Sequence, residues 1–316
     1  MARIGGPAVA DQSDRADRRA FMSDARPTVG FIGTGVMGAS MAGHLLNAGY
    51  PMQVYTRTRA KAEDLLQQGA SWKNSPGELA RGCDVIIIIV GFPQDVEEVY
   101  FDEEGIFSTL RPGTTVIDMT TTSPALAERI DEAACERGAF ALDAPVSGGD
   151  RGAREATLSI MVGGDEAVFN AVRPIFEILG ENIVHQGPAG AGQHTKLCNQ
   201  MAIAAGMLGV CEALAYAERA GLDPETVLQS IGSGAAASWS LSNLGPRMIA
   251  RDFRPGFFVR HFVKDMTLAL ESSRELGLDT PGLELALEMY RRLLDEGGGA
   301  LGTQALFKLY EPDGGE

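Results

Sequence analysis

Residues 29–38 read Val29-Gly30-Phe31-Ile32-Gly33-Thr34-Gly35-Val36-Met37-Gly38, and this stretch decides the fold. A short apolar run ends in Gly-x-Gly-x-x-Gly, and the chain continues with helical character through Leu46. The glycine spacing alone is a weak signal; set between a strand and a helix it acquires a physical meaning. Gly33 permits the tight turn, Gly35 lets a pyrophosphate approach the backbone, and Gly38 lets the helix pack closely on the strand. With Thr34, Val36 and Met37 they form a loop whose free N–H groups at the helix start face phosphate oxygens. The stretch is expected to hold a dinucleotide.

Working outward, strand-like runs lie at Thr28–Ile32, Pro51–Tyr55, Val85–Val90, Thr115–Met119, Phe140–Asp143, Leu158–Val162 and near Asn182–His185. Amphipathic stretches such as Arg59–Gln68 and Ala125–Arg137 separate the earlier ones. Strands alternating with helices at this spacing predict βαβ units and a mainly parallel sheet. The continuous Ile86–Ile89 run fits a central strand buried on both faces. After Gly187-Pro188 strand signals vanish, and helical runs end at Gly221, Gly232, Gly277 and Gly297. Asp223-Pro224 and Thr280-Pro281 mark helix starts, with Asp and Thr as expected N-caps. The fold class is therefore α/β: a sheet domain over 27–188, then an all-helical domain over 189–316, joined by a long helix from Gly192 to Ala220.

The remaining counts bound the function. The 316 residues suffice for about two domains, and 45% hydrophobic with 22% charged residues is the composition of a folded protein. A net charge of −15 repels nucleic-acid backbones and anionic lipid. The run Val85–Val90 is too short to span a bilayer. The uncharged stretch 197–211 reads as a buried Ala/Gly-rich helix, so neither nucleic acid nor membrane is expected as a partner. Cys83, Cys135, Cys198 and Cys211 form no CxxC pair, which predicts reduced thiols and a cytoplasmic protein. His194 and Cys198 stand at i, i+4 but lack further ligands nearby, so no metal is expected. Residues 1–26 lack an apolar core for a signal peptide. They read as a disordered tail or an extension upstream of a start at Met22, and Asp11, Asp14 and Asp17 disfavour a transit peptide.

Two further stretches carry chemistry. Where the second strand ends, an acidic residue would bind the ribose hydroxyls of NAD(H). This chain has Thr56-Arg57-Thr58-Arg59 instead, with no acid before Glu63. Arg57, with Arg59 as a second candidate, offers a charge and Thr56 or Thr58 a hydroxyl to a 2′-phosphate, so NADP(H) is expected to be preferred over NAD(H); the alternative is that the arginines are merely solvated. Asp143-Ala144-Pro145-Val146-Ser147-Gly148-Gly149 follows a strand, and its hydroxyl and N–H groups suit a carboxylate. In Gly192-Gln193-His194-Thr195-Lys196-Leu197-Cys198-Asn199, Lys196 and Asn199 share a helix face. On spacing alone Lys196 reads either as a snorkelling helix-end residue or as a general acid–base with a pKa lowered by burial.

Together the Gly33–Gly38 loop, Asp143–Gly149, Gly192–Asn199 and Lys264-Asp265 resemble the β-hydroxyacid dehydrogenases, over essentially Thr28 to Tyr310. That family includes 3-hydroxyisobutyrate dehydrogenase, tartronate semialdehyde reductase and the glyoxylate and succinic semialdehyde reductases. The resemblance implies a Rossmann-type domain followed by a helical domain, and a homodimer or homotetramer. It implies hydride transfer between NADP(H), with NAD(H) as the lesser cofactor, and a small anionic hydroxyacid or semialdehyde. By the same resemblance Lys196 would be the general acid–base, and Ser147, Gly148 and Gly149 would bind the substrate carboxylate. Asn199 would hydrogen-bond the substrate, Thr121 would lie near the nicotinamide, and Lys264 would close over cofactor and substrate. The chain departs from the pattern at His44, at Gln200 (often a second Asn) and at Glu155-Ala156, where a Gly is common. Imine reductases share the loop and the linking helix but generally lack this lysine. Phosphogluconate dehydrogenases carry a larger helical domain. A non-catalytic dinucleotide-binding scaffold would not need Lys196, Asn199 and Lys264 together.

Overall fold

The computed structural model describes residues 26–311. All of the expected tail except Arg26 lies outside the described residues. Strands β1 (Val29–Ile32), β2 (Met52–Tyr55), β3 (Ser71–Trp72), β4 (Val85–Ile88), β5 (Thr115–Asp118) and β6 (Phe140–Asp143) pair in parallel in the order β3-β2-β1-β4-β5-β6. Beyond β6 the sheet changes sense. Strand β8 (Leu158–Gly164) runs antiparallel to β6, the short β7 (Val146–Ser147) antiparallel to β8, and β9 (Gly180–Gly187) parallel to β8. Strands β3 and β7 were not expected, because two residues are too few to show a period.

The period-2 geometry of a strand explains why β4 is apolar throughout. Val85 and Ile87 enter the core under one sheet face with Phe31, Met41 and Leu45, while Ile86 and Ile88 enter the opposite core with Tyr100, Val116 and Ile130. Helix α1 (Val36–Asn47) follows β1, and α2 (Glu63–Gln67) follows β2 after a 3₁₀ turn at Arg59–Ala62. The segment Arg59–Gln68 is thus helical, but not one α-helix. Helices α3 (Pro76–Ala80), α4 (Pro93–Phe101), α5 (Pro124–Cys135), α6 (Gly149–Glu155) and α7 (Glu166–Phe176) complete the sheet half. Ser75 and Ser123 accept hydrogen bonds from Glu78 N and Leu126 N at 3.1 and 3.2 Å, capping α3 and α5.

Helix α8 (Ala191–Arg219) has 29 residues and carries the chain into the helical half. By length and apolar composition it could cross a bilayer. Instead Leu197, Met207, Leu208, Cys211 and Leu214 pack into the second core with residues of α10 (Trp239–Ile249), α11 (Val259–Glu275) and α12 (Pro281–Asp295). Asp223 caps the intervening α9 (Pro224–Ile231) through Thr226 N at 3.1 Å, as its sequence implies. Thr280 does not cap α12 with its side chain. Its ψ of 67° departs from the extended values of the serine caps, 161° at Ser75, 146° at Ser123 and 157° at Ser238, and its buried hydroxyl has no partner among the described residues. Ser238 caps α10 through Leu241 N at 3.0 Å, and Trp239 is exposed.

Candidate active site

The loop after β1 sits where β1 is flanked by β2 and β4, the switch point of the parallel sheet. Gly33 has φ +96°, and a Cβ there would collide with the Ile89 carbonyl. A Cβ on Gly38 would strike the Gly33 carbonyl, so neither position admits a side chain without parting α1 from the sheet. Gly35 differs: nothing lies within 4 Å of where its Cβ would be. The loop is thus closed on its protein side and open on the other. Val36 and Gly35 are exposed, Met37 is half-buried, and no side chain caps the start of α1. Thr34 is buried with its hydroxyl unpartnered among the described residues. An uncapped helix start, an open glycine face and an orphan hydroxyl fit a pyrophosphate.

At the end of β2, Arg57 and Thr58 are both exposed. The Arg57 guanidinium reaches Asp95 of α4 at 2.9 Å, and Asp95 also accepts from Phe92 N at 3.0 Å. Arg59 lies over the Trp72 ring, 5.5 Å from its centroid. Of the two arginines, Arg57 is the one paired with a carboxylate, while Arg59 lies on an aromatic face.

The other end of the cleft is built from buried side chains. Asp118 and Asp143 are paired in register at the ends of β5 and β6, and both are buried. Asp143 accepts hydrogen bonds from Gly190 N at 2.8 Å and Gln193 N at 2.7 Å, fixing the first turn of α8. Burial pushes its carboxyl up to about 6 against those hydrogen bonds. Burial also pushes Asp118 up to about 7, opposed by its bonds with Thr120 and reinforced by the charge of Asp143. Gln193 is fully buried: its Nε2 donates to Thr120 O at 2.8 Å and its Oε1 accepts from Thr122 N at 3.0 Å. This one side chain ties the Thr120–Thr122 loop to α8.

One turn along α8, Lys196 is buried, and its Nζ donates to Val146 O at 2.8 Å, beside Ser147. An ammonium has three donors, and this bond uses one. Desolvation holds its pKa down at about 8; the carboxylate of Asp265 opposes that shift and the charge of Lys264 adds to it. The adjoining loop turns through Gly148 (φ +131°) and Gly149 (φ +63°), conformations that favour glycine. It approaches Gly256 of the helical half, whose carbonyl would lie 3.5 Å from a Cβ on Gly149. Helix α1 braces the loop from behind, where His44 Nε2 lies 3.0 Å from Ala153 O and 3.1 Å from Arg154 O in α6. Helix α6 ends at Ala156, which takes φ +56° where the family pattern has a glycine.

Helix α11 closes the seam. Lys264 Nζ donates to Thr121 O at 2.6 Å and pairs with Asp265 Oδ1 at 2.9 Å. Asp265 Oδ2 accepts from Gln200 Nε2 at 2.6 Å, and Gln200 Oε1 accepts from Asn199 Nδ2 at 2.7 Å. His261 packs among Phe92, Phe257 and Phe258 rather than against a carboxylate, and burial followed by the charge of Lys264 lowers its pKa. His194 and Cys198 are both exposed on α8. No cluster of three or more His, Cys, Asp or Glu suited to a metal occurs among the described residues.

The structure therefore gathers Lys196, Asn199, Thr121 and Lys264 around one seam, with Ser147–Gly149 beside Lys196. Arg57 and Thr58 lie at the far end, past the Gly33–Gly38 loop. Sequence reasoning missed Gln193, Asp118, Asp95 and the bridging role of Gln200. Gln193 had a signal, since it stands three residues before Lys196 on the same helix. Asp143 closes a predicted strand, and Asp118 stands one residue before the end of another.

A family model described as the NAD binding domain of 6-phosphogluconate dehydrogenase matches residues 28–187. A second, described as NAD-binding of NADP-dependent 3-hydroxyisobutyrate dehydrogenase, matches residues 190–310. An uncharacterized oxidoreductase of Bacillus subtilis, YkwC, is 58% identical over 90% of this chain and 99% of its own length. The 2-hydroxy-3-oxopropionate reductase of Escherichia coli is 42% identical over 90% of this chain and 97% of its own. Mycobacterium tuberculosis 3-hydroxyisobutyrate dehydrogenase, solved with L-serine, superposes with a TM-score of 0.84 at 31% identity, covering 91% of this chain and 100% of that one. With these relatives matching both halves of the fold, the chain belongs to the β-hydroxyacid dehydrogenase family and is an NAD(P)-dependent oxidoreductase acting on CH–OH groups.

Proposed function

We propose that the protein catalyses reversible hydride transfer between NADP(H) and a short anionic semialdehyde or hydroxyacid, with Lys196 as general acid–base. Candidate substrates are the 3-hydroxyisobutyrate, 2-hydroxy-3-oxopropionate, glyoxylate and succinic semialdehyde classes. The observation that carries this reading is Lys196 itself. It is a buried ammonium, its pKa brought down to about 8, at the root of a Ser-Gly-Gly loop and on the face that carries Asn199. Residues 27–188 would hold the cofactor and residues 189–316 would complete the pocket.

The bound nicotinamide would supply or accept the hydride at the carbinol carbon. Gly33 to Gly38 would hold its pyrophosphate, and Thr121 would flank its ring. Ser147 Oγ and the N–H groups of Gly148 and Gly149 would hold the substrate carboxylate, leaving the reacting oxygen toward Lys196. As that oxygen gains negative charge, the Lys196 ammonium stabilises it and gives up a proton from Nζ; in the reverse direction the neutral amine removes the proton. Lys264, anchored by Asp265 and Thr121 O, would keep a second positive charge at the carboxylate side and exclude water.

For the adenosine end, a 2′-phosphate would take Arg57 from Asp95 and accept from Thr58, which supports NADP(H) over NAD(H). A homodimer or homotetramer is supported by the exposed small residues of α8, Ala202, Ala205, Gly206 and Gly209, with exposed Tyr216 one turn beyond Glu212; a purely monomeric species in analytical ultracentrifugation would contradict it. Four unpaired thiols, two of them exposed, support a reducing, cytoplasmic setting. The test of the function is a spectrophotometric panel. NADPH oxidation is followed with each aldehyde class above, and NADP⁺ reduction with the matching hydroxyacids. Turnover of at least one class, lost in Lys196→Ala, is expected. Turnover of imines alone, or of nothing, would overturn the reading.

A further inference from the structure

Helix α6 begins at Gly149, in the loop proposed to hold the substrate carboxylate, so whatever fixes the helix fixes the loop. The loop has little of its own to hold it. Gly148 and Gly149 carry no side chains and sit at φ +131° and +63°. A Cβ on Gly148 or Gly152 would come within 3.2 or 3.1 Å of Leu158, so the helix rests closely on β8 along that face. Its charged pairs, Asp150 with Arg154 and Arg151 with Glu155, tie the helix to itself and not to a neighbour.

The far end of α6 is closed from outside. Ala156 takes φ +56°, a strained conformation for a residue with a Cβ, and its N–H and that of Thr157 both turn back to Gly152 O. The donors of the turn thus leave the next two carbonyls, Ala153 O and Arg154 O, to other partners. His44 Nε2 lies 3.0 and 3.1 Å from them, although it is 109 and 110 positions away in sequence. A carbonyl only accepts, so Nε2 carries the proton and donates to both. His44 stands in the last turn of α1, about 12 Å along the axis from Val36 in the phosphate loop. At that loop α1 is sealed to the sheet by Gly38 against Gly33 O, and around His44 its Met41, Ala42 and Leu45 share a core with Ala153. One rigid helix therefore carries the phosphate loop at its start and holds the end of α6 near its finish.

We propose that His44 is a positioning residue: by clamping the end of α6 to α1 it sets the Ser147–Gly149 loop at a fixed distance from the phosphate loop, and so places the substrate carboxylate relative to the cofactor. The proposal rests on the β-hydroxyacid reading for the substrate, and on the geometry of α1 and α6 for the clamp. Displacements of about 1 Å are enough to spoil a reacting geometry, so loosening α6 costs use of the substrate without weakening the hold on the cofactor.

The test compares the wild type with His44→Leu, His44→Gln and His44→Asn, using whichever of racemic 2,3-dihydroxypropanoate and 3-hydroxy-2-methylpropanoate is the faster substrate for NADP⁺ reduction. Leucine fills the space and donates nothing. The glutamine amide nitrogen reaches as far as Nε2 and has two hydrogens for the two carbonyls, whereas that of asparagine stops one carbon short. His44→Leu is expected to raise KM for the hydroxyacid about tenfold or more, with the NADPH dissociation constant within about twofold of the wild type. Hydrogen exchange on the NADP⁺-loaded proteins is expected to show the amides of 148–156 opening about tenfold faster in His44→Leu. His44→Gln is expected to bring both readouts back to within about threefold of the wild type, and His44→Asn to follow His44→Leu. Should His44→Leu not fold, His44→Asn carries its arm. An unchanged KM, unchanged exchange at 148–156, no rescue by His44→Gln, or a rise in the NADPH constant as large as that in KM would overturn the proposal. Should neither hydroxyacid be oxidised, the functional reading fails on its own, and the exchange measurement still decides for or against the clamp.

Discussion

The two ends of the cleft are built in opposite ways. At the phosphate end, the working surface is backbone: Gly33 and Gly38 are sealed against Ile89 O and Gly33 O while Gly35 faces free space. At the reaction end, the working surface is side chains brought in from four segments. Lys196 and Gln200 come from α8, Lys264 and Asp265 from α11, Asp143 from the end of β6 and Thr121 from the loop after β5. The first end tolerates no added atoms at its sealed glycines. The second depends on burial and pairing, which set the charge each group carries. The proposed phosphate site is therefore built from one local stretch of backbone, whereas the surroundings of Lys196 need the whole tertiary arrangement.

The strongest way to break this contrast is at the reaction end. Lys196→Ala is expected to lower kcat by about 10²–10⁴-fold while leaving the NADPH dissociation constant within about twofold, since the phosphate end is untouched. Stopped-flow turnover and fluorescence titration on the same preparation check both halves, and a variant with near-normal kcat would contradict the assignment. At the far end, Arg57→Ala should cost the charge-assisted contact to the 2′-phosphate, raising KM for NADPH about 10–100-fold with little change for NADH. Equal effects on both cofactors would show that Arg57 does not read the phosphate. The smallest effect belongs to the junction between the ends. Ala156 sits at φ +56°, a left-handed strain of about 1–2 kcal/mol, against which glycine gives back about 0.4–1 kcal/mol in unfolded-state entropy. Ala156→Gly should therefore stabilise the protein by about 0.5–1 kcal/mol, seen as a rise of roughly 2 °C in Tm by calorimetry. A fall in Tm would show that the methyl makes a contact worth more than the strain.

The contrast also explains what the sequence disclosed. The Gly33–Gly38 loop, the buried β4 run and the limits of α8 could be read locally, because each follows from a period or from backbone sterics. Strands β3 and β7 could not be, nor could the reversal of β8 against β6, since both depend on pairing with distant chain. At the site, spacing placed Lys196 and Asn199 on one face, yet left Lys196 either snorkelling or buried. Its burial and its bond to Val146 O, fifty residues away, settle that question and are not encoded in any local pattern. The Asn199–Gln200–Asp265–Lys264 chain was hidden for the same reason. Gln200 read from the sequence as a departure from an asparagine, and only its contacts show that the longer side chain spans α8 to α11.

The central claim is that Lys196 exchanges a proton with the substrate oxygen from a pKa near 8. The direct measurement is kcat/KM against pH from 6 to 10 in both reaction directions. Reduction requires the ammonium, so its rate should be level at low pH and fall as pH rises through about 8. Oxidation requires the neutral amine, so its rate should climb up to about 8 and then level off. Opposite limbs sharing one midpoint near 8, and absent from the residual rates of Lys196→Ala, are the predicted result. Limbs of the same sign, or a midpoint that persists in Lys196→Ala, would contradict it.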